Sequence, residues 1–592
     1  MEKNTLLAVV LSVIVITIGF TVQNILYPPE PVPEPIAEQE EQIEEPTVST
    51  DAPAPVEQPA PAEPTVSPDV SEIPIPGNPV RAVPADDIST QPVRYSNNVM
   101  SVVFDPRGAR VESMKLLEYL DGPEPVEMIM SGDTGRGALE LHFGDFRSEP
   151  VTDLFERVPT DDPNTVVFRR DFYIEGTPSQ PFEVRRVFRF YPDEYVFEVA
   201  TEITNSVNRV IPLDYTGNAY TISFGPQIGP SYAELDGRNE FRRFFYYDGN
   251  RRREIRLRNE DRDQITERIN WGTVSGKYFA AIAIPGAADY TWTFSNETPR
   301  GLEDGAAMYL TRPAIRSAAN RDTLRFYVGP KVTNVLNRYD RADNNALGLR
   351  NLDLGEVEER RFLFGWLENI LKFVMQIIYN FVPNYGIAIV ILTILVKILL
   401  FPLTHKSFES TSKMQVLNPK IQELRQKHKD NPQKMNKEMQ ELYKKEGVNP
   451  LGGCLPMALQ FPFFIAMFGL FNNHFDLRGA TFIPGWITDL SAPESILNFG
   501  NFTVPLLGWN DLRLLPILFV ASQLLSSKLM QNPGAGTSNS QMKMMQYGLP
   551  LMFFFILYNM PSGLLVYWIF SNVLTVGQQF YSTQKRKHQV TE

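Results

Sequence analysis

The chain has 592 residues, with 56 Lys and Arg against 69 Asp and Glu, which gives a formal net charge of −13. This length predicts two or three domains, and the acidic balance argues against a general nucleic-acid-binding protein, because phosphate contacts need a basic surface. With one cysteine, Cys454, no disulfide is possible within the chain. Long apolar runs in the last third indicate that soluble and membrane parts are joined in one chain.

The N-terminal residues 1–27 are predicted to be an uncleaved transmembrane anchor. Their apolar stretch of about 20 residues is long enough to span ~30 Å of hydrocarbon. A cleaved signal peptide is the alternative, but the stretch lacks a strongly basic start and a small-x-small cleavage site. Residues 28–92 are predicted to be a Pro/Glu-rich disordered tether, because 28–80 contain 15 prolines, 12 acidic residues and no Lys or Arg.

Residues 93–350 are predicted to form a soluble all-β domain, because short strand patterns recur along them. In the segment YVFEVATEIT, apolar and polar residues alternate from Tyr195 to Ile203, as on a half-buried strand. About 250 residues with such spacing predict a large β-sandwich. The segment 241–258 carries seven arginines between aromatic residues. A solvated strand-loop-strand near anionic headgroups is the favoured interpretation, and a nucleic-acid patch is the alternative.

Residues 362–382 are predicted to form an amphipathic helix that lies in the membrane interface. Glu368, Lys372, Gln376 and Asn380 recur every four residues and make one polar stripe, while apolar residues cover the rest of the helix. A buried helix of the β-domain is the alternative.

Five further transmembrane helices are predicted, which makes six with the N-terminal anchor. They are residues 385–403, 451–473, 512–530, 542–560 and 561–581. The loop 404–448 holds ten Lys or Arg, the loop 474–511 is mainly acidic, and the tail 582–592 is basic. The positive-inside rule then places both termini in the cytoplasm and residues 28–384 outside.

The basic loop 404–448 is itself predicted to be an antiparallel helical hairpin. Apolar residues follow helical spacing on both sides of a break at Lys429-Asp430-Asn431-Pro432, and Gly447 ends the second helix. Its surface suits docking onto an acidic partner, such as a ribosome or a targeting factor. The alternative is that the basic residues only keep this loop in the cytoplasm, by the positive-inside rule, and dock onto no partner.

Lys397 lies inside the second predicted span, and an intramembrane lysine is a functional-site hypothesis by default. No acidic residue occurs in the other spans to pair with it. Thr393 lies one turn earlier on the same face, and Gln460 and Gln523 add amides from other spans. These residues predict a wet cavity that is open to the cytoplasm and attracts acidic segments. Snorkelling of Lys397 to the headgroups is the alternative.

The segment NPLGGCLPMALQFPFF resembles the YidC family of membrane protein insertases, of the Gram-negative type with a large periplasmic domain. Further similar segments are FPLTHKSFESTSKMQVLNPKIQELR and MPSGLLVYWIFSNVLTVGQQ. The motif residues are Asn449, Pro450, Gly452, Gly453, Cys454 and Pro456. The resemblance implies a membrane α-helical bundle of six transmembrane helices, five of them forming the insertase core, plus a periplasmic β-supersandwich similar to sugar mutarotases.

The resemblance also implies a function in the bacterial inner membrane. Family members insert and help to fold nascent membrane proteins through a hydrophilic groove that is open to the cytoplasm and lipid, alone or with the Sec translocon. Lys397 occupies the position where the family usually has arginine, and lysine, unlike arginine, loses its proton when desolvated. The family's substrate-contacting positions correspond to Thr393, Tyr567 and Trp568, where tryptophan replaces one member of a common tyrosine pair.

No catalytic, cofactor or metal site is predicted, and the protein is not expected to be an enzyme. The sequence has no GxxxxGK[ST] motif, and its five histidines show no metal-ligand spacing. The main alternative function is a small-solute transporter with a periplasmic binding domain, although no inverted repeats are found. A sugar-binding outer domain and a membrane-protein chaperone are further alternatives.

Overall fold

The computed structural model describes residues 79–591, except for gaps at 122, 130–135, 206–210, 226–240, 258–260, 298–304, 359–363, 429–430, 448–454, 501, 505–508 and 530–546. The predicted anchor 1–27 and most of the predicted tether 28–92 lie outside these residues.

Residues 80–330 form strands. Buried and more exposed side chains alternate in some of them, such as Val93–Ser96 and Phe182–Arg189, whereas Trp271–Ser275 and Phe279–Ile284 are buried throughout. The strands are β1 Val80–Ala82, β2 Val93–Ser96, β3 Met100–Asp105, β4 Arg110–Asp121, β5 Glu124–Glu127, β6 Glu140–Phe143, β7 Glu156–Val158, β8 Thr165–Ile174, β9 Phe182–Arg189, β10 Val196–Asn205, β11 Ile211–Phe224, β12 Arg243–Tyr247, β13 Arg252–Ile255, β14 Arg262–Ile265, β15 Trp271–Ser275, β16 Phe279–Ile284, β17 Thr291–Ser295, β18 Ala307–Ser317 and β19 Ala319–Pro330. Two short strands follow in a later loop, β20 Leu497–Asn498 and β21 Asp511–Leu512.

These strands build antiparallel sheets that share one apolar core. The largest sheet of the described residues has ten strands, in the order β1-β8-β9-β10-β19-β16-β15-β12-β13 with β7 on β8. The others have the orders β14-β17-β18-β11-β6 and β2-β3-β4-β5, and β20 pairs with β21. Trp271, Trp292, Tyr220 and Tyr327 are fully buried in the core between them. The prediction of a large β-sandwich is confirmed.

The sandwich is longer than the predicted 93–350 at both ends. Val80–Ala82 pairs with β8, with Val80 opposite Ile174, so this part of the predicted tether is an ordered edge strand. At the other end, Leu354 and Val357 are buried in the sandwich core. Both additions depend on contacts between residues distant in sequence, which local composition does not report.

The C-terminal half of the chain is helical. Its helices are α1 Gly365–Phe381, α2 Tyr385–Lys427, α3 Pro432–Lys445, α4 Leu455–Asn473, α5 Leu515–Leu529, α6 Leu549–Leu557 and α7 Ser562–Thr591, preceded by the one-turn helix Thr333–Leu336. The buried side chains of α1, α2, α4, α5 and α7 form a second apolar core.

Three of these helices differ in extent from the prediction. The helix α2 continues past 403 to Lys427 and forms the first arm of the hairpin. It contains Pro402 and Pro419, since a proline removes one main-chain donor without having to end a helix. The helix α5 begins at Leu515 rather than 512, because Pro516 belongs in a first turn and Asp511–Leu512 forms a strand. The helix α7 continues through the predicted tail to Thr591.

In the described part of the chain, one helical segment is long and apolar enough to cross a membrane, Tyr385–His405. Its 21 residues extend about 31 Å, which matches the hydrocarbon core. Gln460–Asn472 and Leu515–Lys528 are shorter apolar helical segments. The six spans therefore stay a prediction.

The segment after α4 joins the helical core to the β-sandwich. The Phe475 ring makes edge-to-face contacts with Tyr119, Tyr278 and Phe279, at 4.9, 5.7 and 5.5 Å between ring centroids. Arg478 forms a 3.1 Å ion pair with Asp121 and lies 5.5 Å from the Phe279 ring. The two parts are thus held together by specific side chains beyond the chain connection.

Candidate functional site

Lys397 lies on α2 at the contact between α2 and α7. Its half-buried side chain donates a hydrogen bond of 2.8 Å from Nζ to Thr575 Oγ1 on α7. The Thr575 hydroxyl in turn donates to the main-chain oxygen of Ser571, also at 2.8 Å. Within the described residues, no carboxylate forms an ion pair with Lys397. The ammonium is therefore held by a hydroxyl on a neighbouring helix rather than neutralised by an acid.

Thr393 and Tyr567 are both buried. The Thr393 hydroxyl donates to the main-chain oxygen of Ile389 on its own helix, at 2.6 Å. The Tyr567 ring lies 6.0 Å from the Phe471 ring of α4, between ring centroids. In this conformation both side chains pack inside the helical core.

Trp568 is the aromatic centre of the helical core. Its ring stacks on Phe464 of α4, at 4.8 Å and 5° between ring planes, and on Phe519 of α5, at 5.2 Å. Phe553 of α6 makes an edge contact at 6.3 Å. Trp568 therefore joins α7 to three other helices.

A second polar contact connects α5 and α7 close to Trp568. Asn572 Nδ2 donates to Ser522 Oγ at 3.0 Å, and Ser522 donates to the main-chain oxygen of Phe519 at 2.7 Å. Gln460 on α4 and Gln523 on α5 are half-buried, and within the described residues neither forms a hydrogen bond with Lys397. The contacts of α7 with α2 and with α5 are thus two separate polar pairs, Lys397–Thr575 and Ser522–Asn572.

The family motif is mostly beyond what the structure describes. Asn449, Pro450, Gly452, Gly453 and Cys454 lie outside the described residues. The remaining member, Pro456, is the second residue of α4, where a missing main-chain donor is tolerated.

Thr575 is the site residue that the sequence analysis missed. It lies one helical turn after Ser571 on α7, and Asn572 lies beside it, so polar residues repeat on one side of an apolar helix. That spacing was the available signal. Which of these hydroxyls meets Lys397 depends on the rotation of α7 against α2, and the sequence of one helix does not report that rotation.

The β-sandwich contains a buried His-Glu pair, as a sugar-processing domain would need, but both side chains are bonded within the protein. The Glu140 carboxylate accepts from Arg136 Nη2 at 3.1 Å and from the Gly137 main-chain N–H at 3.0 Å. The His142 ring nitrogens lie 2.7 Å from the Ser148 main-chain oxygen and 3.2 Å from Ser223 Oγ. This arrangement stabilises the fold and gives no support to a sugar-processing domain.

A β-sandwich joined to a helical core, with a hydrogen-bonded lysine on a helix of membrane length, is the architecture expected of an integral membrane protein with a large extramembrane domain. A family model described as "60Kd inner membrane protein" matches residues 377–589, and one described as "YidC periplasmic domain" matches residues 93–367.

Curated relatives match nearly the whole chain. The "Membrane protein insertase YidC" of Treponema denticola is 38% identical over 600 residues, covering 99% of this chain and 100% of the relative. The protein of the same name from Treponema pallidum is 32% identical over 621 residues, covering 98% of each. The chain belongs to the YidC family of membrane protein insertases. A crystal structure of an active YidC insertase aligns with a TM-score of 0.34 at 16% identity, covering 85% of this chain and 95% of that one.

Proposed function

We propose that this chain inserts and helps to fold nascent membrane proteins in the bacterial inner membrane. The observation that carries the proposal is Lys397, a cation on the membrane-length helix that is bonded to Thr575 and has no ion-paired acid among the described residues. A charge retained in this position without a partner of opposite sign is expensive and is typical of a functional site. Family membership supports the same activity.

The proposed groove is lined by Lys397, Thr393, Gln460, Gln523, Tyr567 and Trp568. An acidic tail of a substrate is attracted to Lys397 and displaces its hydrogen bond to Thr575, an interaction between helices worth only ~0.6 kcal/mol on average. The hydrophobic segment that follows gains ~0.3–0.6 kcal/mol for each large apolar residue that enters lipid. Partitioning therefore drives release, and no nucleotide is needed.

The proposed topology has six spans, both termini in the cytoplasm, and residues 28–384 in the periplasm. It places the hairpin 404–448 in the cytoplasm, where ribosomes and targeting factors are found. The hairpin arm of α2, residues 404–427, would extend about 36 Å beyond the span. The helix is continuous from the span into this arm, which supports a docking role. The Sec translocon is a further proposed partner.

The test is insertion into liposomes of a small single-span substrate with an acidic N-terminal tail, scored by protease protection. We expect wild-type protein to insert well above empty vesicles. Lys397→Leu should lower insertion about tenfold, because it removes the charge that attracts the tail, whereas Lys397→Arg should retain most activity. The matched control is Lys528→Leu, which removes an exposed lysine at the end of α5 and should leave insertion unchanged.

Two outcomes would contradict the proposal at different levels. No insertion above empty vesicles by wild type would reject autonomous insertase activity. Equal insertion by wild type and Lys397→Leu would reject Lys397 as the electrostatic element of the groove. Uptake of small solutes by the same vesicles would favour the transporter alternative.

A further inference from the structure

A cavity of about 710 Å³ lies where the β-sandwich, α1 and the segment after α4 meet. The sandwich contributes Lys277 and Lys331, α1 contributes Lys372 and Gln376, and the α4 end contributes His474 and Asp476. None of its lining residues belongs to the Lys397 site. Nothing in the insertion mechanism uses these polar groups.

Several polar groups that line this cavity have no partner within the part of the chain that the structure describes. His474 is only 4% exposed, yet neither of its ring nitrogens has a hydrogen-bond partner there. The nearest acid, Asp476 Oδ2, is 3.6 Å from Nε2, beyond hydrogen-bond distance. The Lys372 ammonium likewise makes no hydrogen bond or ion pair among these residues. Buried polar groups are nearly always bonded, so the two ring nitrogens of His474 are the groups of this cavity that call for a polar partner.

The helix α1 indicates that a ligand of this cavity comes from the membrane, because one of the three faces of the helix is apolar and exposed. Leu367, Leu371 and Met375 are buried in the helical core, and Lys372 and Gln376 line the cavity. A third face is apolar and exposed, at 42–82% of each side chain, and consists of Trp366, Ile370, Phe373, Ile377 and Phe381.

An exposed apolar stripe of this size marks a membrane contact when it lies on a helix beside a bilayer. The helix α1 ends four residues before the membrane-length segment Tyr385–His405 begins. With the topology proposed above, on which this inference rests, the stripe faces the lipid acyl chains and the cavity beside it faces the headgroups.

Among the described residues, the lining of the cavity carries charges of both signs. Lys277, Lys331 and Lys372 stand against Glu358, Glu368 and Asp476, and burial lowers the pKa of His474, so that the ring is neutral at pH 7. Lys331 Nζ also donates to the Gly276 main-chain oxygen, and Lys277 Nζ lies 4.8 Å from the Tyr278 ring. A cavity whose described lining carries both cationic and anionic side chains matches a ligand that carries one phosphate and one ammonium.

We propose that this cavity binds the headgroup of a zwitterionic phospholipid of the phosphoethanolamine class, with the acyl chains along the apolar stripe of α1. The lysines and the His474 ring bond the phosphate oxygens, and the carboxylates accept from the ammonium. The bound lipid connects the sandwich to α1 at the membrane surface.

The test is native mass spectrometry of the delipidated full-length protein, titrated with phosphatidylethanolamine or phosphatidylglycerol of the same acyl chains. We expect one phosphatidylethanolamine to bind about tenfold more tightly than phosphatidylglycerol. Lys372→Gln and His474→Leu should each weaken it by about tenfold, the effect of losing one hydrogen bond to a charged group. The matched control is Lys115→Gln, which removes a surface lysine paired with Glu124 on the sandwich and should change nothing.

Equal binding of the two lipids, or a preference for phosphatidylglycerol, would overturn the headgroup assignment. Lipid binding that Lys372→Gln and His474→Leu leave unchanged would overturn the site. A third titration uses glycerophosphoethanolamine, which carries the headgroup but no acyl chains. We expect it to bind far more weakly than the lipid, and equally tight binding would assign the cavity to a soluble phosphate compound instead.

Discussion

His142 is buried in the β-sandwich with both ring nitrogens bonded, and this makes the stability of the sandwich sensitive to acid. Burial lowers the pKa of His142 below its ordinary value of 6.5, and Arg136 acts in the same direction, while the bond to Ser148 and the charges of Glu140 and Glu149 oppose it. The unfolded chain therefore binds a proton below pH 6.5 that the folded chain does not bind. The stabilisation is fully present above pH 6.5 and is lost as the pH falls towards the lowered value.

We predict that protection of β6 against hydrogen exchange decreases between pH 6.5 and 5, by at most about 1.4 kcal/mol for each pH unit. The measurement is hydrogen exchange of the full chain followed by mass spectrometry, corrected for the intrinsic rate at each pH. His142→Gln should flatten this dependence, because an amide can keep both hydrogen bonds without titrating. A pH dependence that is the same in the variant would assign the effect to other groups.

Single residues differ in how much of their role can be predicted from the sequence. Lys397 is recognisable from the sequence because a charge inside an apolar run has few structural explanations. Its partner Thr575 is not, because helical spacing places Ser571, Asn572 and Thr575 on one side of α7 without indicating which of them meets Lys397. His474 also gives no signal, since its burial results from the packing of α1 and the β-sandwich around it.

At the scale of elements, hydropathy predicted where the second span stops being apolar, but not where its helix stops. The helix α2 is 43 residues long and is continuous from the membrane-length segment into the hairpin. The hairpin arms run antiparallel, because Lys420 pairs with Glu446 and His428 with Glu438, both at 2.9 Å. Hydropathy reports the solvent around a helix, whereas continuity depends on main-chain hydrogen bonds that cross the membrane boundary.

A small apolar cluster holds the two hairpin arms together. Leu417 and Ile421 of α2 are buried against Met439, Leu442 and Tyr443 of α3. We predict that Ile421→Asp separates the arms, since an unpaired carboxylate is not tolerated in an apolar contact. Limited proteolysis should then cleave 431–447 at least about tenfold faster, which corresponds to a loss of roughly 1.4 kcal/mol.

Val416 provides the matched control for this prediction. It is a β-branched residue on the same helix, but it is 76% exposed where Ile421 is 4% exposed. Val416→Asp should leave the cleavage rate within twofold of wild type. Equal cleavage of both variants would show that the arms are held by contacts other than this cluster.

At the scale of the whole molecule, the β-sandwich could be predicted as a class but not in its extent. Alternation within single strands identifies β-structure locally, as in Phe182–Arg189. The pairing of β1 with β8 and the burial of Val357 join segments far apart in sequence. The contact of Phe475 with the sandwich is of the same kind, since it joins the predicted loop 474–511 to residues Tyr119, Tyr278 and Phe279, which are far away in sequence.

Phe475 is the residue that we expect to couple the sandwich to the helical core. Its three ring contacts are each worth about 0.5–1.5 kcal/mol, so Phe475→Ala should weaken the junction by roughly 2 kcal/mol, or about thirtyfold in an opening equilibrium. Hydrogen exchange of 475–482 in nanodiscs should accelerate accordingly, while β10 in the sandwich centre stays protected. Phe502→Ala removes a ring that is 61% exposed in the same loop between α4 and α5 and should have no such effect. If β10 exchanged faster as well, the loss would be one of sandwich stability, and Phe475 would be part of its core rather than a joint between two parts.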